Sequence, residues 1–243
     1  ENQIKKGLEF IHRRYKAKLA ALYFQSWTNT YDSTENLKRI YDLALSCGDF
    51  SQFIVSTRPD CVGEDVADLL AQYITPEREV WVELGLQSAS DETLKRINRG
   101  HTLSDYITCA ERLHKRGIKI CTHVIIGLPG EERKDFIKTA EALNQVGSEG
   151  VKIHNLHIPG GTRMAQDYLD GEIVSWSTER YMNEVQYFLR LLNPGMIVQR
   201  LVCETPAHRL MAPRHFMDKS LFLRTLNDKM ERDDTRQGDL YEG

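Results

Sequence analysis

Short apolar runs alternate with amphipathic helical patterns along almost the whole chain of 243 residues. The runs predict buried strands, because they are short and rich in branched and aromatic side chains. Between them, apolar residues recur at every third or fourth position, which is the spacing of one helical face. This alternation predicts a parallel sheet joined by right-handed crossover helices. The predicted strands lie at 19–24, 52–57, 80–86, 118–126, 150–157 and about 196–203.

Two architectures fit this pattern, a doubly wound sheet and a barrel. No Gly-x-Gly-x-x-Gly follows a predicted strand, which removes the main signal for a dinucleotide-binding sheet. Polar residues gather instead at the C-terminal ends of successive strands, where barrel enzymes carry their chemistry. The sequence therefore favours a barrel.

The strand Trp81–Gln87 is an apolar run that contains one carboxylate, Glu83, and one amide, Gln87. These two residues are four positions apart, so they point to the same face of the strand. Because a buried carboxylate without a partner is unfavourable, that face is expected to be wet or lined by a ligand. An ion pair inside the barrel is the alternative for Glu83.

Three other strand ends carry distinctive segments. The turn Gly127–Gly130 follows one strand, and its glycines allow the backbone to lie close to something flat. The polar segment Gln25–Asn29 follows the first strand; a turn that caps a helix starting near Ser33 or Thr34 is its alternative role. The segment Ser56–Asp60 follows the second strand, where Arg58 and Asp60 either meet a ligand or pair with each other around the proline.

These segments resemble the radical S-adenosylmethionine superfamily. The likeness runs from about Ile4 to Pro206. The segments Tyr23–Tyr31 and Lys152–His157 are similar to a bacterial branch related to the Elongator catalytic subunit and to oxygen-independent coproporphyrinogen oxidase. The resemblance implies an α/β fold, a partial (β/α)6 TIM-like barrel. It also implies reductive cleavage of S-adenosylmethionine to a 5′-deoxyadenosyl radical, which abstracts hydrogen from a substrate that the sequence leaves unknown.

The resemblance assigns cofactor-binding roles to strand-end residues. Gln87 matches the ribose-contacting amide of the family, and Arg99 matches an arginine that approaches the cofactor carboxylate. His123 and the turn after it match the adenine-side strand, although a satisfied core histidine is the alternative there. The expected cofactor-binding residues are Gln25, Ser26, Thr28, Asn29, Ser56, Arg58, Glu83, Gln87, Arg99, His123, Ile125, Gly127 and His157.

The chain departs from the family pattern at the cluster. The five cysteines, Cys47, Cys61, Cys109, Cys121 and Cys203, contain no Cys-x-x-x-Cys-x-x-Cys motif, so they are expected to be reduced thiols that bind no metal. The segment after the first strand also lacks the glycines that the family places there. Because a barrel unit begins with a strand, a chain that opens on a helix is expected to lack the first strand and cluster loop. The ligands of a [4Fe–4S] cluster are therefore expected upstream, and this chain alone is expected to be inactive.

The remaining expectations concern organisation and partners. Residues 1–203 are expected to form the partial barrel, and residues 204–243 a C-terminal loop and helix, with 233–243 frayed. No apolar run reaches the roughly 18–20 residues of a membrane span, and no secretory signal is recognisable, so a cytoplasmic location is expected. The net charge of −3 gives no electrostatic reason to expect nucleic-acid binding, and it does not exclude such binding. The implied reductant is a flavodoxin or ferredoxin, and the open barrel edge predicts self-association.

Three functional hypotheses follow from the sequence. The first is a radical S-adenosylmethionine enzyme whose cluster loop precedes this chain. The second is a non-catalytic nucleoside-binding barrel, motivated by the absent cluster motif. The third is a barrel hydrolase or lyase that uses Glu83 with His123 or His157 as acid and base.

Overall fold

The computed structural model describes all residues from 1 to 243. Its strands alternate with helices as the sequence predicts. The strands are β1 (Ala21–Phe24), β2 (Gln52–Thr57), β3 (Glu79–Gln87), β4 (Lys119–Ile126), β5 (Gly150–Asn155), β6 (Ile158–Pro159), β7 (Ile197–Arg200) and β8 (Leu210–Ala212). The helices are α1 (Asn2–Tyr15), α2 (Thr34–Leu45), α3 (Glu64–Ala71), α4 (Asp91–Arg96), α5 (Leu103–His114), α6 (Arg133–Val146), α7 (Arg163–Leu169), α8 (Thr178–Leu191) and α9 (Lys219–Arg232), with a 3-10 turn at Pro59–Cys61.

Six strands form one parallel sheet in the order β1-β2-β3-β4-β5-β7. Consecutive strands are neighbours in the sheet and are separated by helices in the chain, which is the arrangement of a partial TIM-like barrel. The predicted fold class is therefore confirmed. β1 lies at one edge of the sheet, and α1 buries none of its residues. Self-association through this edge stays a prediction.

The contacts between residues divide the chain into two compact units, residues 1–85 with 104–121 and residues 86–103 with 122–243. The predicted boundary between residues 203 and 204 falls inside the second unit. A separate C-terminal extension therefore stays a prediction.

The core of the first unit is built around an aromatic cluster. Strand β2 alternates between buried and half-buried residues, and its Phe53 is fully buried. The Phe53 ring lies edge-on to Phe24, Tyr41 and Tyr73, with ring centroids 5.9, 5.1 and 5.3 Å away. Helix α2 presents Tyr41 to this cluster. Helix α2 starts at Thr34, as predicted, and its cap is the Ser33 hydroxyl, which accepts the Asn36 amide at 3.3 Å.

The second unit contains structure that the sequence analysis missed. The short helices α4 and α7 begin at the caps Ser90 and Thr162. Residues 204–215 were expected to form a loop, but they include β8, which pairs with β6 in a small antiparallel sheet. This sheet is stabilised by an apolar cluster, because Ile158, Ala165, Ile173 and Ala212 are buried together.

The expectation that residues 233–243 fray is wrong. Helix α8 ends with carbonyl groups that lack partners within the helix. Gly238 and Leu240 donate their backbone amides to Leu189 and Arg190 of α8 at 3.1 and 2.9 Å. The side chain of Gln237 donates to the carbonyl of Met196 at 2.8 Å. The C-terminal segment is therefore fixed to the end of α8.

Replacing Phe53 by alanine is expected to lower the free energy of unfolding by about 3–5 kcal/mol, because a fully buried ring is lost from the aromatic cluster. The matched control is Phe10→Ala on α1, where the ring is 47% exposed and the expected change is about 0.5 kcal/mol. Urea unfolding followed by circular dichroism measures both. Equal losses in the two variants would contradict the assigned core.

Candidate functional site

Glu83 joins the first three strands near their C-terminal ends. The carboxylate is 2% exposed, and its Oε2 accepts the Tyr23 hydroxyl of β1 at 2.6 Å and the Ser56 hydroxyl of β2 at 3.1 Å. Ser56 and Glu83 are also register partners across the β2–β3 pair. The predicted Ser56 hydroxyl and Glu83 carboxylate therefore meet, and two hydroxyl groups donate to the Oε2 atom of this buried carboxylate.

The loop after β1 divides its predicted residues into two groups. The Asn29 side-chain amide donates to the carbonyl groups of Phe24 and Ser56, both at 3.0 Å, so it braces the ends of β1 and β2. The side chains of Gln25, Ser26 and Thr28 make no hydrogen bond within the protein. These three side chains can bind a ligand, whereas the side chain of Asn29 has only its carbonyl oxygen left for a ligand.

A groove of about 620 Å³ lies between α1 and β1. Gln25 and Ser26 line its polar part, and Leu8 and Leu22 are among its apolar lining residues. The groove therefore combines unpaired polar side chains with an apolar wall, as small-molecule sites do.

Arg58 pairs with Asp60. The guanidinium Nε and Nη2 donate to the two carboxylate oxygens at 2.9 and 2.5 Å. Of the two roles considered for Arg58, the structure shows the internal pair around Pro59. A bidentate pair of this kind fixes the guanidinium, so Arg58 is not presented as a free cation.

Gln87 ends β3 in a left-handed backbone conformation with φ of 75°. This conformation is unfavourable by about 1 kcal/mol or more for a residue with a side chain. The Gln87 side chain is half-buried and makes no hydrogen bond within the protein. A strained backbone that presents an unpaired amide at a strand end is typical of a ligand-binding position.

Glu131 is a buried carboxyl group that the sequence analysis missed. Its side chain is 7% exposed, and it accepts hydrogen bonds from the hydroxyl groups of Ser88 and Thr93. Burial raises the pKa of the Glu131 carboxyl to about 7, although the two hydroxyl groups act in the opposite direction. The sequence feature that could have identified Glu131 is its position as an acidic residue directly after the Gly127–Gly130 turn and before the helix cap at Glu132.

Gly127 follows β4 with φ of 100°. A Cβ atom at this position would lie 3.4 Å from the Trp176 indole. The glycine therefore allows close approach of a flat group, as predicted, and the group present is Trp176. This indole also interacts with Arg180, whose guanidinium carbon lies 4.2 Å from the ring centroid.

His123 packs against the neighbouring strand. Its ring centroid lies 5.1 Å from that of His154 on β5, with 31° between the ring planes. Ile125 is two positions further along β4, so it shares the face of His123 and is half-buried. Arg99 follows α4 and is also half-buried, and its backbone amide donates to Leu94 at 2.9 Å. Cofactor contact by these three side chains stays a prediction.

Both ring nitrogens of His157 form hydrogen bonds. Asn155 accepts the Cys203 amide on Oδ1 at 3.0 Å, so its amide group donates to His157 Nε2 at 2.8 Å. The ring proton therefore lies on Nδ1 and is donated to Thr205 at 2.7 Å. Burial lowers the pKa of His157, because it disfavours the charged ring. The network joins the segments after β5 and β7 and leaves only the ring face for a ligand.

Two family models match this chain. The Radical SAM superfamily model matches residues 7–143, and the Radical SAM C-terminal domain model matches residues 148–232. The chain belongs to the radical S-adenosylmethionine superfamily. The superfamily match includes every predicted cofactor residue except His157.

Individual proteins are similar to this chain over most of its length. Protein MJ0486 of Methanocaldococcus jannaschii is 36% identical over 98% of this chain and 71% of its own length. YtqA of Bacillus subtilis is 34% identical over 96% of this chain and 72% of its own length. The archaeal Elp3 structure of Methanocaldococcus infernus has a TM-score of 0.83 at 20% identity, covering 97% of this chain and 59% of that one. At that identity the likeness shows a shared fold.

The radical S-adenosylmethionine family implies a [4Fe–4S] cluster, and the residues of this chain do not fit one. No three Cys, His, Asp or Glu side chains come together as a metal site. Burial raises the pKa of Cys109 to about 12 and that of Cys203 to about 11, whereas cluster ligands have to be thiolates. Gln25, Ser26 and Thr28 in the first unit, and Gln87 in the second, carry side-chain hydrogen-bonding groups without a partner in the protein, which is the kind of group that the polar parts of S-adenosylmethionine require.

The structure also bears on membrane association. None of its helices combines the length and the apolar character that a membrane crossing requires.

The buried Glu131 carboxyl makes stability depend on pH. Its folded-state pKa of about 7 lies above the ordinary value of 4.5, so the native state retains this proton after the unfolded chain has lost it. Stability is therefore expected to fall as the pH rises through this window, by roughly 3 kcal/mol in total. In Glu131→Gln this component is expected to be absent, so the variant exceeds the wild type in stability at about pH 8 and equals it only below the unfolded-state pKa, at about pH 4.

Urea unfolding across this pH range measures the effect. Glu141→Gln, an exposed position on α6, is the matched control and is expected to follow the wild type. Parallel pH profiles for Glu131→Gln and the wild type would show that Glu131 ionises normally.

Proposed function

We propose that the complete protein containing this chain is a radical S-adenosylmethionine enzyme that generates a 5′-deoxyadenosyl radical and abstracts hydrogen from its substrate. The observation that carries this proposal is the superfamily match over residues 7–143, which spans β1 to β4. The cofactor supplies the radical chemistry when bound. The chain binds and orients it.

The proposed roles follow the strand ends. Gln25, Ser26 and Thr28 contact the amino-acid end of S-adenosylmethionine, since their side chains have no other partner. Gln87 binds the ribose through its unpaired amide. Ile125 and the backbone at Gly127 contact the adenine, and Arg99 approaches the cofactor carboxylate.

We assign a supporting role to several other predicted residues. The side chains of Glu83, Ser56 and Asn29 form hydrogen bonds that connect neighbouring strand ends. They therefore hold the ends of β1, β2 and β3 in place. Arg58 and His157 have internal partners and shape the surface beside the cofactor.

In this proposal the cluster ligands come from a segment outside the present chain, because the cysteines of this chain do not fit a cluster. The electron donor is a flavodoxin or ferredoxin, and the location is the cytoplasm.

A nucleoside-binding barrel without catalysis is the second candidate. It is favoured by the absence of a metal site among residues 1–243 and by the glycine-free loop after β1. In this case the same unpaired side chains would bind the nucleoside, and no cleavage would follow.

Reductive cleavage tests the proposal. The complete protein, loaded anaerobically with iron and sulfide and reduced with dithionite, is expected to form 5′-deoxyadenosine, measured by mass spectrometry. Gln87→Ala is expected to raise the KM for S-adenosylmethionine about tenfold, because one hydrogen bond to the ribose is lost. Gln145→Ala, an exposed glutamine on α6, is the matched control. No cleavage after verified cluster loading, with binding of S-adenosylhomocysteine retained, would favour the nucleoside-binding barrel.

The Glu83→Gln variant distinguishes the third hypothesis, acid–base catalysis without iron, from the radical mechanism. The amide cannot act as a general base, but its oxygen can still accept one of the two hydroxyl groups from Tyr23 and Ser56. We expect Glu83→Gln to retain cleavage of S-adenosylmethionine within about tenfold of the wild type. A hydrolase or lyase turnover measured without iron that disappears in this variant would overturn the radical assignment.

A further inference from the structure

The residues next to Gln87 are held from several sides. The Leu86 carbonyl lies 3.3 Å from the His101 Nε2 atom. After Gln87, the Ala89 amide donates to the Thr139 hydroxyl of α6 at 3.0 Å, and the Ser90 amide donates to the Ser88 hydroxyl at 3.0 Å. The left-handed Gln87 therefore lies between backbone groups that are already fixed.

Glu131 joins this turn to the turn after β4. Ser88 accepts the Ser90 amide on its hydroxyl oxygen and donates its hydroxyl proton to Glu131. Thr93, in the first turn of α4, donates a second hydroxyl to the same carboxyl group. Glu131 itself is tied to its own turn, because its amide donates to the Leu128 carbonyl at 3.2 Å.

We propose that Glu131 is a positioning residue for the cofactor-binding turn: its carboxyl group holds the Ser88 and Thr93 hydroxyls and so keeps Gln87 in the left-handed conformation that presents its amide. This inference rests on the proposed function, because it takes Gln87 as the ribose contact. It adds a residue that makes no contact with the ligand and connects the ribose turn to the Gly127–Gly130 turn.

The charge on Glu131 determines how firmly the turn is held. An ionised carboxylate accepts both hydroxyl protons, whereas the neutral acid carries a proton on one oxygen and accepts fewer. Three charged or titratable groups lie around Glu131 and Gln87. Asp135 of α6 raises the pKa of Glu131, and Arg96 of α4 is directed to the Pro129 carbonyl at 3.4 Å. His101 lies at the Leu86 carbonyl on the other side of Gln87.

Ligand affinity is therefore expected to rise with pH while fold stability falls. Both effects come from the Glu131 carboxyl group. Its ionisation strengthens the two hydrogen bonds that it accepts, whereas burial makes the ionised form unfavourable. A residue that only fills space between the two turns would give no such pH dependence.

Binding of S-adenosylhomocysteine by the complete protein, measured by calorimetry, tests the proposal. The wild type is expected to bind about tenfold more tightly at about pH 8 than at about pH 6, and Glu131→Gln equally at both. Glu131→Gln should keep the affinity that the wild type shows at the lower pH, because its amide oxygen still accepts one hydroxyl. Glu141→Gln is expected to retain the wild-type profile.

A double-mutant cycle adds a second readout. If Ser88 acts through Glu131, Ser88→Ala and Glu131→Gln will not be additive in their effect on affinity. Additive losses, or an unchanged pH profile in Glu131→Gln, would overturn the positioning role.

NMR separates failure of this inference from failure of the proposed function. The amide chemical shifts of Ser88 and Ser90 are expected to titrate with a midpoint near the Glu131 pKa of about 7, and not to titrate in Glu131→Gln. If the wild type does not bind S-adenosylhomocysteine at either pH, the cofactor assignment fails while these shifts still test the interaction. If the shifts do not follow Glu131, the interaction is absent whatever the affinity.

Discussion

Parallel pairing of the strands is the constraint on which the rest of the structure depends. A parallel pair cannot be closed by a hairpin, so a crossover segment has to lie between consecutive strands. Here α2, α3, α5 and α6 lie between successive strands from β1 to β5, and the strand order in the sheet follows the chain. Because the six strands run in one direction, the segments that follow them lie at one edge of the sheet. That edge is where polar side chains can be exposed without disturbing the buried strands.

The polar residues at this edge differ in whether the protein satisfies them. Glu83, Asn29 and Arg58 are bonded to neighbouring strands or turns, and a buried or half-buried polar group requires such partners. Gln25 and Gln87 keep unpaired amide groups. The first set stabilises the edge and the second set can recognise a ligand, so similar residue types have different roles according to their neighbours.

Much of the fold was predictable because it depends on local patterns. The apolar runs predicted β2 without error and β3 and β4 to within one residue at each end, and α2 starts at Thr34, where a helix start was predicted. The strand predicted at 150–157 ends instead at Asn155, because Leu156 donates to the Ile126 carbonyl and the chain turns into β6. The sheet of β6 with β8 and the C-terminal segment were missed because their partners are distant in sequence.

The sequence by itself determined the α/β alternation, the radical S-adenosylmethionine resemblance and the candidate residues at the strand ends, because hydrophobic period and short motifs are local properties. Only the tertiary structure decided which of those residues are already bonded. It paired Arg58 with Asp60, enclosed His157 between Asn155 and Thr205, and left Gln87 unpaired on a left-handed backbone. It also revealed Glu131, whose raised pKa arises from burial. The physical reason is that hydrogen-bond partners and burial depend on distances between segments, and these distances exist only in the folded chain.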